Sequence, residues 1–169
     1  MSTDTVRRFE SSLDALDVGC TRTDPAGFPD ALDAVLDPPA VGVPLGIDGV
    51  SLDGTPVETP PTPRLLREAE TGVTPAGKAI AEYGTLVVDA DATGCEPVSL
   101  YPPTHVAVVR ERDVLPDVEA ATDHLGARFA AGESSVFATG VSSTGDMGAL
   151  VEGVHGPKHV HVIVVEEEP

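Results

Sequence analysis

The sequence predicts an α/β fold, a Rossmann-like, mainly parallel sheet with helices on both faces, and three observations carry that prediction. Short apolar runs rich in Val alternate with segments whose apolar residues recur at helical spacing. Two of the runs, residues 106–109 and 162–165, are apolar at every position, as strands covered on both faces are. The stretches between successive strands are long enough for crossover connections, which join parallel neighbours.

Val6, Phe9, Leu13 and Leu16 form one stripe of an opening helix from about Asp4, and residues 18–22 read as a short strand. Asp24 and Pro25 resemble the cap and first residue of a second helix, with Phe28, Leu32, Val35 and Leu36 as its stripe and Pro38 and Pro39 as its stop. Residues 41–45 are strand-like, whereas residues 46–63, rich in Gly, Pro, Thr and Asp without a sustained period, read as a long surface connection. Thr62 with Pro63 opens a short helix through Leu65, Leu66 and Ala69, and Thr74 with Pro75 opens another through Ala79 and Ile80. Residues 85–88 follow as a strand, 91–94 as a turn and 105–109 as a buried strand. Residues 116–131 form a helix with Val118, Ala121, Leu125 and Phe129 on one side, and 136–139 a strand. A short helix around Met147, Leu150 and Val151 precedes the last strand, residues 160–165.

The 169 residues show no second compositional regime and fit one domain, residues 1–169, with no internal repeat. With no Trp, two Tyr and four Phe, the interior must be filled by Ala, Val and Leu. The formal charge of −18 comes from 28 acids scattered between apolar positions, against ten Lys and Arg. Such self-repulsion becomes tolerable when counterions shorten the screening length to about 3 Å, as at 1 M salt. The composition is therefore read as that of a protein from a halophile's cytoplasm. Nucleic-acid binding is disfavoured, because it draws on clustered Lys and Arg. Cys20 and Cys95 stand far apart in no metal-binding spacing and read as buried free thiols, so the chain itself cannot hold a four-cysteine iron–sulfur cluster. Residues 1–10 carry no apolar signal core, and the longest apolar run, residues 160–165, is far too short to span a bilayer.

The segment from Ala138 through Thr139, Gly140, Val141, Ser142, Ser143, Thr144, Gly145 and Asp146 to Met147 is the most informative. It joins a predicted strand to a predicted helix through hydroxyls and glycines. Free amides at a helix start, with glycine allowing close approach, suit a phosphate or carboxylate, and ligands in open α/β sheets gather at carboxyl ends of strands. Asp146 and Met147 stand where a phosphate-binding G-x-x-x-x-G-K-[ST] loop needs Lys and Ser or Thr, so a nucleotide-triphosphatase loop is excluded. The hydrolase elbow G-x-S-x-G fails at Thr144, and no dinucleotide G-x-G-x-x-G occurs. The simpler alternative is a capped turn whose hydroxyls satisfy helix amides.

His155 sits in a Gly-Pro turn beside Gly156, followed by His159 and His161, two apart on a strand and so on one face. Structural histidines are preferred there to a metal site, and no metal ligand is assigned. Glu82 is placed where a helix ends and a strand begins, either simply solvated or part of a site; Gly84 supplies a turn and Thr85 a hydroxyl.

Glu82 to Val87, the Pro102-Pro103-Thr104-His105-Val106 element, the loop from Gly140 to Asp146 and the closing Gly153-Val154-His155-Gly156-Pro157 with its His-Val strand resemble the LUD (lactate-utilisation) domain, in its LutC-like branch. The similarity runs from about residue 72 to 165, and residues 1–70 are more divergent. It implies a fold of the NagB/RpiA/CoA-transferase type and a part in oxidising L-lactate to pyruvate. It also implies partner subunits that carry the iron–sulfur clusters, with no cofactor in this chain. The family tends to read Gly-Pro-Ser-x-Thr-Ala-Asp-Ile-Glu, whereas Val141, Gly145, Met147 and Gly148 stand here at the Pro, Ala, Ile and Glu places.

On this reading the residues from Ser142 to Thr144, with Gly84, Thr85, Gly140, Gly145 and Gly156, hold a small carboxylate or phosphate, while Glu82, Asp146 or His155 handles a proton. The protein is expected to be cytoplasmic, without a membrane span. The alternatives are a non-catalytic anion-binding or assembly module, and a transferase or isomerase of the same fold.

Overall fold

The computed structural model describes residues 3–141, 143–144, 151–152 and 155–167. Helix α1 (Thr3–Asp14) forms on the predicted stripe, with Val6, Phe9 and Leu13 all buried. β1 (Gly19–Thr23) follows. The second helix, α2 (Phe28–Asp33), starts later than the sequence suggests. Asp24 is spent on the turn before it, its carboxylate accepting from the Gly27 amide at 2.7 Å, and the first-turn proline is Pro29. β2 (Ala40–Gly42) and β3 (Val57–Glu58) come next. In α3 (Pro63–Glu68) the Thr62 hydroxyl accepts from the Leu65 amide at 3.2 Å, the predicted cap.

β4 (Thr71–Pro75), β5 (Lys78–Ile80) and β6 (Thr85–Asp89) precede α4 (Cys95–Leu100) and β7 (Thr104–Arg110). A 3-10 turn, Glu111–Asp113, leads into β8 (Val114–Leu115), and α5 (Val118–Ala130) is capped by the Asp117 carboxylate on the Ala120 amide. The chain continues through β9 (Ser135–Thr139), the paired β10 (Ser143–Thr144) and β11 (Val151–Glu152), and β12 (His159–Val165).

The main sheet has six strands in the order β1-β12-β7-β4-β2-β3, and every pairing is parallel. A second sheet, β8-β5-β6-β9, is mixed, with β6 antiparallel to both β5 and β9. Alternation along the central strands sends side chains to opposite faces. Ala107, Val109, Val162 and Val164 pack with α1 and the second sheet, while Val106, Val108, Ile163 and Val165 pack with α2. Burying each Val contributes about 1.5 kcal/mol or more, so these two strands anchor both layers.

Four expectations need correction. Residues 74–80 are no helix: Thr74 and Pro75 end β4, and the chain steps there from one sheet to the other. The Ala76 amide donates to Val108 O of the main sheet, and the Gly77 amide donates to Val87 O of the second. Proline suits a strand end as well as a helix start, so the Thr-Pro signal was ambiguous. Residues 46–63 are not simply surface, because Ile47, Val50, Leu52 and Val57 are buried against α2, with turn residues between these anchors. On α5, Val118 and Phe129 are exposed rather than on the packed face. Val151 is a strand residue, paired with Thr144, and not part of a helix; Met147 and Leu150 lie outside the described residues. No helix among the described residues is long and apolar enough to cross a membrane.

Candidate functional site

A cavity of about 260 Å³ lies between β9 and the amino ends of β7 and β12. Residues Val136 to Thr139 of β9, then Gly140 and Val141, form one wall. His155, Gly156 and Pro157, leading into Val160 of β12, form the other. The inner surface is His105 of β7 with Ser99 and Leu100 from the end of α4. The Gly140 loop does leave the carboxyl end of a strand, as the open-sheet rule suggests. That strand belongs to the second sheet, so the loop opens on the amino ends of the main one.

The wall is held from behind. Thr85 and Thr139 face each other across β6 and β9, their hydroxyls 2.7 Å apart, with Thr85 buried. Gly140 turns the chain out of β9 at φ 71; a Cβ there would meet only Leu16 at ordinary contact distance, so backbone conformation asks for glycine. Gly84, at φ 67, packs against Leu16 and the Ser12 backbone. Opposite, the Lys158 and His159 amides both donate to Pro103 O, at 2.7 and 3.1 Å, which fixes the entry into β12.

His105 is the most deeply buried polar side chain in the lining. Its Nε2 lies 2.9 Å from the Thr74 hydroxyl, and burial pushes its pKa down to about 4, so the ring is neutral near pH 7. It pairs in register with Gly72 of β4 and Val160 of β12. Gly72 has no side chain because α4 rests there: a Cβ would lie 2.1 Å from Val98 O. That contact brings Ser99 and Leu100 beside His105.

The described lining contains no Lys, Arg, Asp or Glu. In a chain of charge −18 this is a surface a carboxylate can approach without meeting an acid. A wider depression of about 530 Å³, at the carboxyl ends of β1, β7 and β12, is lined by Asp24, Asp48 and Glu167, and its Arg112 is bonded to Glu167 at 3.1 Å. Its acids oppose an anion. A third depression, about 420 Å³, runs along residues 44–53 and also carries Asp48 and Asp53.

Of the residues singled out from the sequence, the cavity brings together Gly140, His155 and Gly156. Gly84 and Thr85 lie in its supporting layer. Glu82 is elsewhere, in the turn between β5 and β6, exposed, 3.7 Å from Arg8 Nη2; β5 is a strand, so no helix end is present at Glu82. Ser143 and Thr144 stand in β10, opposite Glu152 and Val151. Ser142, Gly145 and Asp146 lie outside the described residues, as does Gly148. His161 is taken up by Thr21, its Nε2 2.8 Å from the hydroxyl and its ring against Gly19, and burial lowers its pKa, while His159 is exposed. No group of His, Cys, Asp and Glu with metal-site geometry occurs among the described residues. Sequence reasoning missed Thr74, Ser99 and the site role of His105. A polar residue directly before the apolar run 106–109 was the available signal.

The sequence profile described as the LUD domain matches residues 45–165. The chain is 33% identical over 169 residues to lactate utilization protein C of Deinococcus radiodurans, covering 95% of this chain and 79% of that protein. It is 31% identical over 110 residues to lactate utilization protein C 1 of Bacillus mycoides, covering 62% of this chain and 47% of that protein. A similar match to lactate utilization protein C of Bacillus subtilis covers 45% of it, so the chain spans about half the length of these Bacillus relatives. The crystal structure of a DUF162 family protein from Deinococcus radiodurans superimposes with a TM-score of 0.77 at 27% identity, covering 98% of this chain and 99% of that one. A profile match over most of the chain, together with a relative matched over 95% of this chain and a structural counterpart matched over 98% of it, places this chain in the LUD domain family.

Proposed function

We propose that this chain serves in lactate utilisation, as the LUD-domain subunit of a cytoplasmic system that oxidises L-lactate to pyruvate. The observation that carries the reading is the cavity beside β9, which gathers Gly140, His155 and Gly156 from separate segments into one lining that holds no acid among the described residues. The names of the relatives supply the lactate connection. A cavity of about 260 Å³ is roughly the space of eight or nine liquid waters. It has room for a three-carbon acid.

Oxidation of the C2 hydroxyl removes two electrons and two protons. Cys20 lies in β1 and Cys95 at the start of α4, both raised to about 11 by burial, and two such thiols do not make a cluster site. The resemblance to the LutC-like branch implies partner subunits with iron–sulfur clusters, and we propose that these take the electrons. His155, an exposed residue of the lining, is proposed to handle a proton. Ser142, Ser143 and Thr144 are proposed to hold the carboxylate, with Asp146 as the alternative proton carrier; Ser142 and Asp146 lie outside the described residues.

A second reading, a non-catalytic assembly module, draws on β9: it is an edge strand of the second sheet, uncharged, with Phe137 exposed. Affinity purification from the native host with iron analysis separates the two. Co-eluting iron protein with lactate-dependent reduction supports oxidation, and co-elution with unchanged activity when His155 and Gly140 are replaced supports assembly. Deletion that leaves growth on lactate intact removes the lactate role.

A further inference from the structure

We propose that His105, positioned by Thr74, presents its Nδ1–H to an acceptor oxygen next to the ligand's carboxylate, so that the cavity selects 2-oxo acids over acids lacking that oxygen. This rests on the small-carboxylate reading above.

The tautomer follows from hydrogen-bond accounting. The Thr74 hydroxyl is fully buried, and its hydrogen-bond contact is His105 Nε2 at 2.9 Å. A buried hydroxyl whose one hydrogen lacks an acceptor carries a desolvation cost, so the hydroxyl donates and Nε2 accepts. The ring proton then sits on Nδ1. Since His105 lines the cavity and Nε2 is engaged with β4, Nδ1 is the nitrogen left for a guest. Burial keeps the ring neutral down to a pH of about 4, so it offers one fixed donor rather than a charge.

A neutral donor in a lining without Lys or Arg among the described residues reads a carbonyl oxygen and contributes little to holding the carboxylate itself. In this proposal the carboxylate lies toward Gly140 and Gly156 of the lining, to be held by main-chain amides. A site that donates to a substrate oxygen rejects the analogue without it, because its donor is left unpaired. Thr74 never touches the ligand and acts by holding the tautomer.

The test is calorimetric titration of the full chain with pyruvate and with propionate, which differ by the C2 oxygen. The unaltered protein is expected to bind pyruvate roughly tenfold more tightly, the worth of one neutral hydrogen bond. The Thr74→Val/His105→Phe pair replaces both partners by apolar groups of similar shape; it should bring the ratio close to one. Thr74→Val alone should lower the ratio, and Thr74→Ser should keep it. An unchanged ratio in the double variant, or no preference in the unaltered protein that still binds propionate, overturns the proposal and leaves the cavity reading standing. Binding of neither acid removes both. Nitrogen spectra of the histidine rings need no variant: a free protein with His105 protonated on Nε2 overturns the tautomer, and pyruvate is expected to shift Nδ1.

Discussion

Replacing Gly72 by Ala tests how α4 is seated above the cavity. Gly72 lies in β4, and a Cβ built there sits 2.1 Å from Val98 O and 3.1 Å from both Val98 C and Pro102 Cγ. Ordinary contact begins at 3.4 Å, so the helix backbone must retreat by about 1.3 Å. The nearest atom is main chain, which cannot rotate aside as a side chain would. Overpacking of this kind costs about 1 to 3 kcal/mol, and the rigid neighbour puts Gly72→Ala near about 3 kcal/mol. For a domain of this size that lowers Tm by about 6 to 12 °C. Gly126→Ala is the matched control: Gly126 lies on the exposed side of α5 with nothing within 4 Å. There the better helix former gains about 1 kcal/mol and raises Tm by about 2 to 4 °C. Melting followed by circular dichroism reads both. Shifts of the same sign, or a Gly72→Ala variant melting with the unaltered protein, would refute the packing of α4 on β4.

Protonation supplies a second test. His105 is neutral when folded and titrates near 6.5 when unfolded, so above pH 6.5 it contributes nothing to the pH dependence. As pH falls from 6.5 to about 4 the unfolded chain alone takes the proton, and stability drops by about 3 kcal/mol in total. Urea unfolding across that window should show a slope that flattens in Thr74→Val/His105→Phe; an equal slope in both proteins would contradict a buried neutral ring. Asp113 is buried and bonded to both Lys78 and Arg110. Asp113→Asn leaves two facing cations and should cost about 2 kcal/mol, less than a fully buried pair because both cations reach solvent; urea midpoints check it. The −18 charge predicts that Tm rises between 0.1 and 2 M KCl as the screening length shortens from about 10 Å to under 3 Å. A Tm independent of salt would end the halophile reading.

The main sheet was legible because its central strands carry the wholly apolar runs 106–109 and 162–165, and α1 and α3 because a stripe or a capping threonine with proline marks them. The second sheet was not. Its β5 has three residues and its β8 two, too short for a period to register, and Pro75 at the sheet-to-sheet step imitated a helix start. α4, six residues with an internal proline, has no stripe at all; what fixes it is the bare strand surface at Gly72. At the site, Gly140, His155 and Gly156 were visible through local turn chemistry. His105 and Thr74 were not paired, since their contact joins residues 31 apart across two strands. Glu82 drew attention by its expected place between a helix end and a strand, yet it lies in the turn after β5 with its carboxylate toward Arg8 on α1.

Amide chemical-shift mapping during a pyruvate titration of the isotope-labelled full chain would decide where the ligand sits. The expected result is a saturable set of changes at Thr139, Gly140, Gly156 and Val160, with His105 among them. Changes concentrated instead at Asp24, Asp48 and Arg112, across the sheet at the carboxyl ends of its central strands, would contradict the assignment of the cavity beside β9.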